Sequence, residues 1–295
     1  MKPNPISKYA AKETKLRLQR FSKHLRHAAK HPEDPDAIHD LRVSIRRVVQ
    51  AFKTFGELLD PAAVKKLRRR LHKVMDLCGA VRNYDVALVL LEQVGVTTGA
   101  SVSRLKKTRS EAAEKLHRRL KKERHDRHAA PDRRSHPKDR DWKLDQSFEA
   151  NLSRAMPVLA EEFFAAGTAA LSAHANYQKL HQFRLQAKRF RYTIELFERF
   201  YGSEMAGGAG ILKELQDRLG AINDCATTIV ILGHDRGAVA AVGKLLRERK
   251  AVLKSYARSE FAPQKLDWWK RWLASKPEGF SPIRRTIRKR RSHPF

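Results

Sequence analysis

Cysteine, acidic residues and long apolar runs are all scarce in this sequence. The 295 residues include two cysteines, Cys78 and Cys225, which are too few for a disulfide framework, and neither lies in a spacing typical of metal ligands. No apolar run approaches the ~20 residues that a membrane span needs, and the first residues hold no apolar signal segment. We therefore expect a cytoplasmic protein with two buried thiols, no metal site and no cofactor.

The shortage of acids leaves a large positive charge. Asp and Glu number 32 against 62 Lys and Arg, so the net charge is +30 when the histidines are neutral. A chain with this charge repels itself and attracts polyanions, which argues against a purely structural role or a small apolar ligand. The apolar fraction of 41%, with 13 Phe and 4 Trp, is too high for a disordered basic protein. The composition indicates a folded protein with an anionic partner.

Strand signals are almost absent, whereas helical periodicity is strong, so the predicted fold class is all-α. A charged stretch with two prolines and no apolar period separates two helical regions and is predicted to be a linker. The predicted organisation is a first helical bundle at 6–128, the linker at 129–145, a second bundle at 146–258 and a basic C-terminal tail at 259–295.

An internal repeat relates the two bundles. Residues 34–52 align without a gap with residues 176–194, and Asp34 and Asn176 are both predicted to cap a helix N-terminus. Each copy carries apolar residues at 3-4-3-4-3 spacing, typical of a buried helix face. We call these faces the two seams: Ile38, Leu41, Ile45, Val48, Phe52 and Phe55 in one copy, and Leu180, Phe183, Ala187, Phe190, Ile194 and Phe197 in the other. The repeat predicts two bundles of about four or five helices each, related by a pseudo-two-fold axis around a basic groove or pore.

A second pair of matching blocks follows each seam, at 71–83 and 212–224. Gly79 and Gly220 occupy the same place in the two blocks, and each is predicted to end a helix in a conformation with positive φ. Asn83 and Asn223 are then predicted to cap the next helix.

Basic residues form a column beside each seam, one residue after successive seam positions. The columns are His39, Arg42 and Arg46 in the first copy and His181, Arg184 and Lys188 in the second; Arg47 and Arg189 also match, and Arg191 extends the second set. Like charges on one helix face repel, and the acids that usually relieve this repulsion are missing. The columns therefore favour an anionic ligand, although charge runs on helices are often simply solvated.

The two column histidines lie in the second turn of their helices, where the helix dipole favours anions. A structural role, with a hydrogen bond to a carboxylate such as Asp76 or Asp217, is the alternative, and one histidine can fill both roles. Basic residues on other predicted helices add candidate ligand contacts: Lys12, Lys73, Arg82 and Lys213.

Four segments together resemble the CHAD family, the conserved-histidine α-helical domains. They are the run at 39–47, its echo at 181–192, Arg-Asn-Tyr-Asp-Val at 82–86 and Asn-Asp-Cys-Ala at 223–226, and the resemblance spans roughly residues 6–258. It implies a basic groove that binds inorganic polyphosphate, association with polyphosphate granules and no catalysis. The family's signature basic residues fall on His39, Arg42, Arg46, Arg47, His181, Arg184, Lys188, Arg189 and Arg191.

The sequence departs from the family pattern at Asn83, where family members commonly have an acid. The Glu-x-Glu-x-Lys signature of a CYTH-type triphosphatase, a frequent fusion partner, is also missing, so we expect a stand-alone binding domain.

Two other functions remain as alternatives. A basic helical protein can bind nucleic acid, but zinc-finger spacing and basic-zipper heptads are missing. The aromatic residues that could stack on bases, Phe52, Phe55, Phe190 and Phe197, belong to the predicted buried seams. A polyphosphate-processing enzyme is less favoured, because the segment at 237–245 lacks the Ser or Thr of a nucleotide-binding loop and no carboxylate cluster suggests a two-metal site.

Overall fold

Nine α-helices make up most of the part of the chain that the structure describes. The structure is a computed structural model that describes residues 5–124, 131, 142–143, 146–172, 176–201 and 204–275. The helices are α1 (Pro5–Lys30), α2 (Pro35–Phe55), α3 (Pro61–Gln93), α4 (Ala100–Glu123), α5 (Phe148–Leu171), α6 (Tyr177–Phe197), α7 (Glu204–Leu232), α8 (Arg236–Glu260) and α9 (Pro263–Ala274). These residues contain no strand, and the predicted all-α fold class is confirmed.

The predicted caps and seams of the repeat helices are confirmed. The Asp34 carboxylate accepts a hydrogen bond of 2.8 Å from the amide of Asp36 at the start of α2. The Asn176 side chain accepts one of 2.9 Å from the amide of Lys179 at the start of α6. Every residue of both seams is buried. The seams therefore fix which face of α2 and of α6 turns outward with its basic column.

Neighbouring helices pack in pairs within each copy, and matching helices meet between copies. Within the copies α1 packs on α2, α3 on α4, α5 on α6 and α7 on α8, while α9 packs on α5. Between them α2 contacts α6 and α3 contacts α7, so each repeat helix touches its own counterpart. These are the contacts that a pseudo-two-fold axis requires, and the axis itself stays a prediction.

Two apolar cores join the copies. In the larger core the last residues of the seams, Phe55 and Phe197, lie edge to face with ring centroids 5.7 Å apart. Tyr9 of α1 packs against both rings and donates its hydroxyl hydrogen to the backbone carbonyl of Leu196. The smaller core includes Leu91 of α3 and Leu232 of α7. Burial in both cores holds the two copies in one fixed arrangement.

The predicted linker and tail lie mostly outside the described residues. Within the linker, Trp142 is buried beside Phe55 and Phe197, and its indole nitrogen donates a 2.7 Å hydrogen bond to the carbonyl of Thr54. Within the tail, residues 263–274 form α9, whose Trp269 and Leu273 are buried. Parts of both segments therefore belong to the packed core, while 129–130, 132–141, 144–145 and 276–295 lie outside the described residues. The bounds of the domains stay predictions.

The two matching glycines do not end helices, and that prediction is wrong. Both α3 and α7 run without interruption through Gly79 and Gly220, so Asn83 and Asn223 lie inside helices and do not cap them. Positive φ occurs instead at Gly95, Gly99 and Gly233. At Gly79 the reason for glycine is space: a Cβ there would lie 3.1 Å from Nη1 of Arg42, whose guanidinium rests on the backbone of α3. At Gly220 a Cβ would meet open space.

This contrast predicts different effects for the same substitution in the two copies. Alanine inside a helix is favoured over glycine by about 0.5–1 kcal/mol, so Gly220→Ala should raise the free energy of unfolding by about that amount. Gly79→Ala should gain less, because its methyl group pushes the Arg42 guanidinium away. Chemical denaturation of the two variants measures the difference. Equal gains would show that Arg42 does not rest on Gly79.

Candidate functional site

A basic groove of about 760 Å³ lies between the two copies, and we call it the central groove. It is lined by α2 and α3 of the first copy, α6 and α7 of the second, and α8. The acidic side chains that line it are Asp217 and Asp224. The basic ones are far more numerous: His39, Arg42, Arg46, Arg82, His181, Arg184, Lys188, Arg191, Lys213 and Arg249.

The two basic columns face this same groove. Each column is displaced by one residue from its seam, so burial of the seam places the column at the edge of the core. Because α2 and α6 contact each other, the columns of the two copies are brought together on one cavity. Arg42 and Arg184 are half-buried there, as are Arg46 and Lys188.

These cations lack acidic partners. Among the described residues, no carboxylate lies within ion-pair distance of Arg42, Arg46, Arg184 or Lys188. Nη1 of Arg42 and Nε of Arg184 are buried and have no hydrogen-bond partner within the same part of the chain. A buried donor without a hydrogen-bond partner costs about 1–3 kcal/mol. An anion in the groove would satisfy these donors.

Burial and mutual repulsion shift the pKa values of the groove cations downwards. Burial, and then Arg46, lowers the pKa of Arg42 to about 10. Burial together with Arg46, Arg184 and Arg42 lowers the pKa of Lys188 to about 6. Burial also lowers the pKa of Arg184, which Asp224 partly opposes, and burial followed by Arg82 lowers that of His39. Burial is the largest cause of all four shifts, and repulsion from neighbouring cations adds to each of them.

The two histidines differ in their contacts. Nδ1 of His181 lies 3.3 Å from Oδ1 of Asn223, and the Tyr177 hydroxyl donates a 3.3 Å hydrogen bond to the same oxygen. The structural partner of His181 is therefore an amide on α7, and the expected carboxylate, Asp217, is not its partner. A protonated ring would donate from Nδ1 to Asn223 and keep Nε2–H for an anion. His39 is exposed at the edge of the groove.

The structure gathers nine of the thirteen candidate residues in the central groove and places four elsewhere. Arg47 lies at the crossing of α2 and α6 and pairs with Glu195 at 2.9 Å, while Arg189 faces away on α6 and pairs with Glu162 at 2.7 Å. Lys73 lines a different groove on α3, and Lys12 is exposed on α1. Arg191 lines the central groove but also bonds to Glu195 and Gln216. Contact of any of these residues with a ligand stays a prediction.

Two residues of the central groove were not predicted from the sequence. Arg249 of α8 donates hydrogen bonds to the carbonyl of Ala221 at 3.0 Å and to Gln93 at 3.1 Å, which brings α8 to the wall of the groove. Tyr177, the first residue of α6, holds Asn223 beside His181. Neither residue belongs to a basic column, so no repeated spacing pointed to it.

Comparison with known proteins identifies the family. The sequence model described as "CHAD domain" matches residues 15–233, which is most of the chain. The chain belongs to the CHAD domain family. This family is linked to polyphosphate binding. No curated protein matches the sequence.

Solved structures share the fold of this CHAD protein at low sequence identity. PptA from Streptomyces chartreusis superposes with a TM-score of 0.56 at 18% identity, covering 90% of this chain and 99% of that one. The CHAD domain from the plant Ricinus communis superposes with a TM-score of 0.54 at 19% identity, covering 91% of each chain. Among the described helices, none is both long and apolar enough to cross a membrane.

The lowered pKa of Lys188 predicts how the stability of this CHAD protein depends on pH. The pKa is about 6 in the fold and 10.5 for an ordinary lysine, so between these values the unfolded chain binds the extra proton. The contribution of Lys188 to the free energy of unfolding therefore rises with pH across that window. Lys188→Met should remove this contribution, flatten the rise and stabilise the protein near pH 7.

Chemical denaturation of both proteins across that pH window is the measurement. Lys213→Met, which removes an exposed amine from the same groove, is the matched control and should keep the pH dependence of the parent. A Lys188→Met variant with an unchanged slope would contradict the prediction.

Proposed function

We propose that this CHAD protein binds inorganic polyphosphate in the central groove and does not catalyse a reaction on it. The observation that carries the proposal is the meeting of two basic columns, one from each repeat, on one cavity where their cations have no acidic partner in the described part of the chain. Membership of a family linked to polyphosphate binding supports the same ligand. Binding of this kind would associate the protein with polyphosphate granules.

The chemistry of the ligand matches the groove. Polyphosphate is a thin, flexible chain with about one negative charge per phosphate and no bases, so it presents closely spaced anionic oxygens. One guanidinium group can bind two such oxygens at once. Arg42, Arg46 and Arg184 supply three guanidinium groups around one cavity. Phosphate oxygens would accept from the unpaired nitrogens of Arg42 and Arg184 and relieve the repulsion between the columns.

Nucleic acid is the competing ligand. Grooves for single strands usually combine cations with exposed aromatic rings on which bases stack. In this protein the phenylalanines of the seams are buried, and of the two tyrosines that line the central groove, Tyr192 is buried and Tyr177 is 42% exposed. One partly exposed ring at the groove edge is a poor stacking platform for several bases. The groove therefore favours a ligand that offers phosphates alone.

Charge reversal of the paired arginines tests the site. The double variant Arg42→Glu with Arg184→Glu should bind long-chain polyphosphate at least about a hundredfold more weakly, because two desolvated phosphate contacts become repulsive. The parent should prefer polyphosphate to single-stranded and duplex DNA at physiological ionic strength, and its affinity should fall steeply with salt. Fluorescence anisotropy with labelled ligands gives both comparisons.

The matched control changes the net charge by the same amount, at two residues that do not line the central groove. Arg20 of α1 and Arg118 of α4 are exposed, so Arg20→Glu with Arg118→Glu should bind nearly as well as the parent. Circular dichroism checks that both double variants keep their helices. Unchanged binding by the groove variant, or equal or tighter binding of DNA by the parent, would overturn the proposed function.

The absence of catalysis is tested separately. Among the described residues, no three metal-ligating side chains of His, Cys, Asp or Glu meet in one place. Incubation with polyphosphate, Mg²⁺ and nucleotide should therefore release no orthophosphate and form no nucleoside triphosphate. The double variant His39→Ala with His181→Ala gives the background. Turnover by the parent above that background would make the protein an enzyme.

A further inference from the structure

A second basic groove, of about 590 Å³, lies along the first half of α3, and we call it the outer groove. Phe52, Pro61 and Val64 contribute apolar side chains to it, and Asp76 is its acidic residue. Five basic side chains line it: Lys65, Arg68, Arg69, His72 and Lys73. The function proposed above uses none of these residues.

The outer groove resembles the central groove because its described cations have no acidic partners among the described residues. Within the described part of the chain, none of its five basic side chains lies within ion-pair distance of a carboxylate. Arg70, from the same run but outside the groove, pairs with Glu123 at 2.7 Å. The basic run of α3 is therefore divided between a cation that holds α4 and cations that stay available to an anion.

The basic run is not needed for the fold. At the offset of 141 that relates the second pair of blocks, residues 65–73 correspond to 206–214, which read Ala-Gly-Gly-Ala-Gly-Ile-Leu-Lys-Glu. In that copy Gly208 provides space for the Trp269 ring of α9. The basic columns at the central groove occur in both copies, whereas residues 206–214 of the second copy carry Lys213 as their one basic residue. Cations that the duplicated fold can omit are explained better by a ligand than by folding.

Residues that line the two grooves lie in one row along α3. Lys65, His72, Asp76, Gly79, Asn83 and Val86 follow each other at steps of seven, four, three, four and three residues, which places them in one row on a helix. The first three line the outer groove and the last two line the central groove. Between them lies Gly79, with the Arg42 guanidinium resting on it. From Lys73 to Arg82 the distance along the helix axis is only ~14 Å at 1.5 Å per residue.

We propose that the outer groove is a second polyphosphate-binding site, which takes the part of a long chain that extends out of the central groove past Gly79 and Arg42. The inference rests on the proposed function, since the same chain occupies both grooves. A chain long enough to reach the outer groove gains additional phosphate contacts without a second association step, so its affinity exceeds that of a short chain. A short chain in the central groove gains nothing from the outer groove.

The test compares two ligand lengths on one triple variant. Lys65→Ala with Arg69→Ala and Lys73→Ala removes three exposed cations of the outer groove. Tripolyphosphate should bind this variant as it binds the parent, while long-chain polyphosphate should bind about tenfold more weakly, with a shallower salt dependence. The matched control replaces three exposed lysines of α4, Lys106, Lys107 and Lys115, by alanine and should lower neither affinity by more than a small factor.

The outcomes separate this inference from the proposed function. If the outer-groove variant keeps the full affinity for long chains, or weakens both lengths equally while its helicity is intact, the inference is overturned. The central-groove variant Arg42→Glu with Arg184→Glu decides the proposed function independently, because it should weaken both lengths. Loss of long-chain affinity in the α4 control equal to that in the outer-groove variant would reduce the effect to net charge and would also overturn the inference.

Discussion

The main constraint on this structure is that cations without acidic partners among the described residues lie at the edge of a hydrophobic core. Arg42, Arg184 and Lys188 repel one another at the edge of the seams, and no described carboxylate neutralises them by direct contact. Such a cluster opposes folding, so the rest of the fold must supply a larger stabilisation. The aromatic contacts around Phe55 and Phe197 provide part of it, because they fasten the two seams to each other through apolar burial.

Acidic residues show where charge serves the fold and where it does not. Glu195 accepts from Arg47 of the other copy and from Arg191 of its own helix, at 2.9 Å in both cases, so it neutralises the cations at the crossing of α2 and α6. Arg17 of α1 also donates to the Glu195 carbonyl at 3.3 Å. One turn away, the groove residues Arg46, Arg184 and Lys188 have no such partner among the described residues. Arg47 joins the copies through its ion pair with Glu195, whereas the cations without such a pair contribute charge that no described carboxylate balances by direct contact.

Much of the fold could be predicted from the sequence, because it follows from local spacing. Helix caps at Asp34 and Asn176 and the two buried seams depend on residues within a few turns of each other. The continuation of α3 through Gly79 could not be predicted, because the glycine there makes space for the guanidinium of Arg42, a residue on another helix. The same holds for the site: the columns follow from spacing, but the partners of Arg47 and Arg189, at Glu195 and Glu162, are distant in sequence.

The two columns are not chemically equal, and the difference affects the positive charge of the groove. Arg46 corresponds to Lys188 in the second copy. A guanidinium remains protonated under almost all conditions, whereas a buried amine surrounded by cations can lose its proton, and the pKa of Lys188 is lowered to about 6. Near neutral pH the lowered pKa favours the neutral amine, and a neutral Lys188 repels the neighbouring guanidinium groups less. Under the proposed function, the negative charge of a phosphate chain would oppose the part of that shift that Arg46, Arg184 and Arg42 cause, and would favour the ammonium form of Lys188.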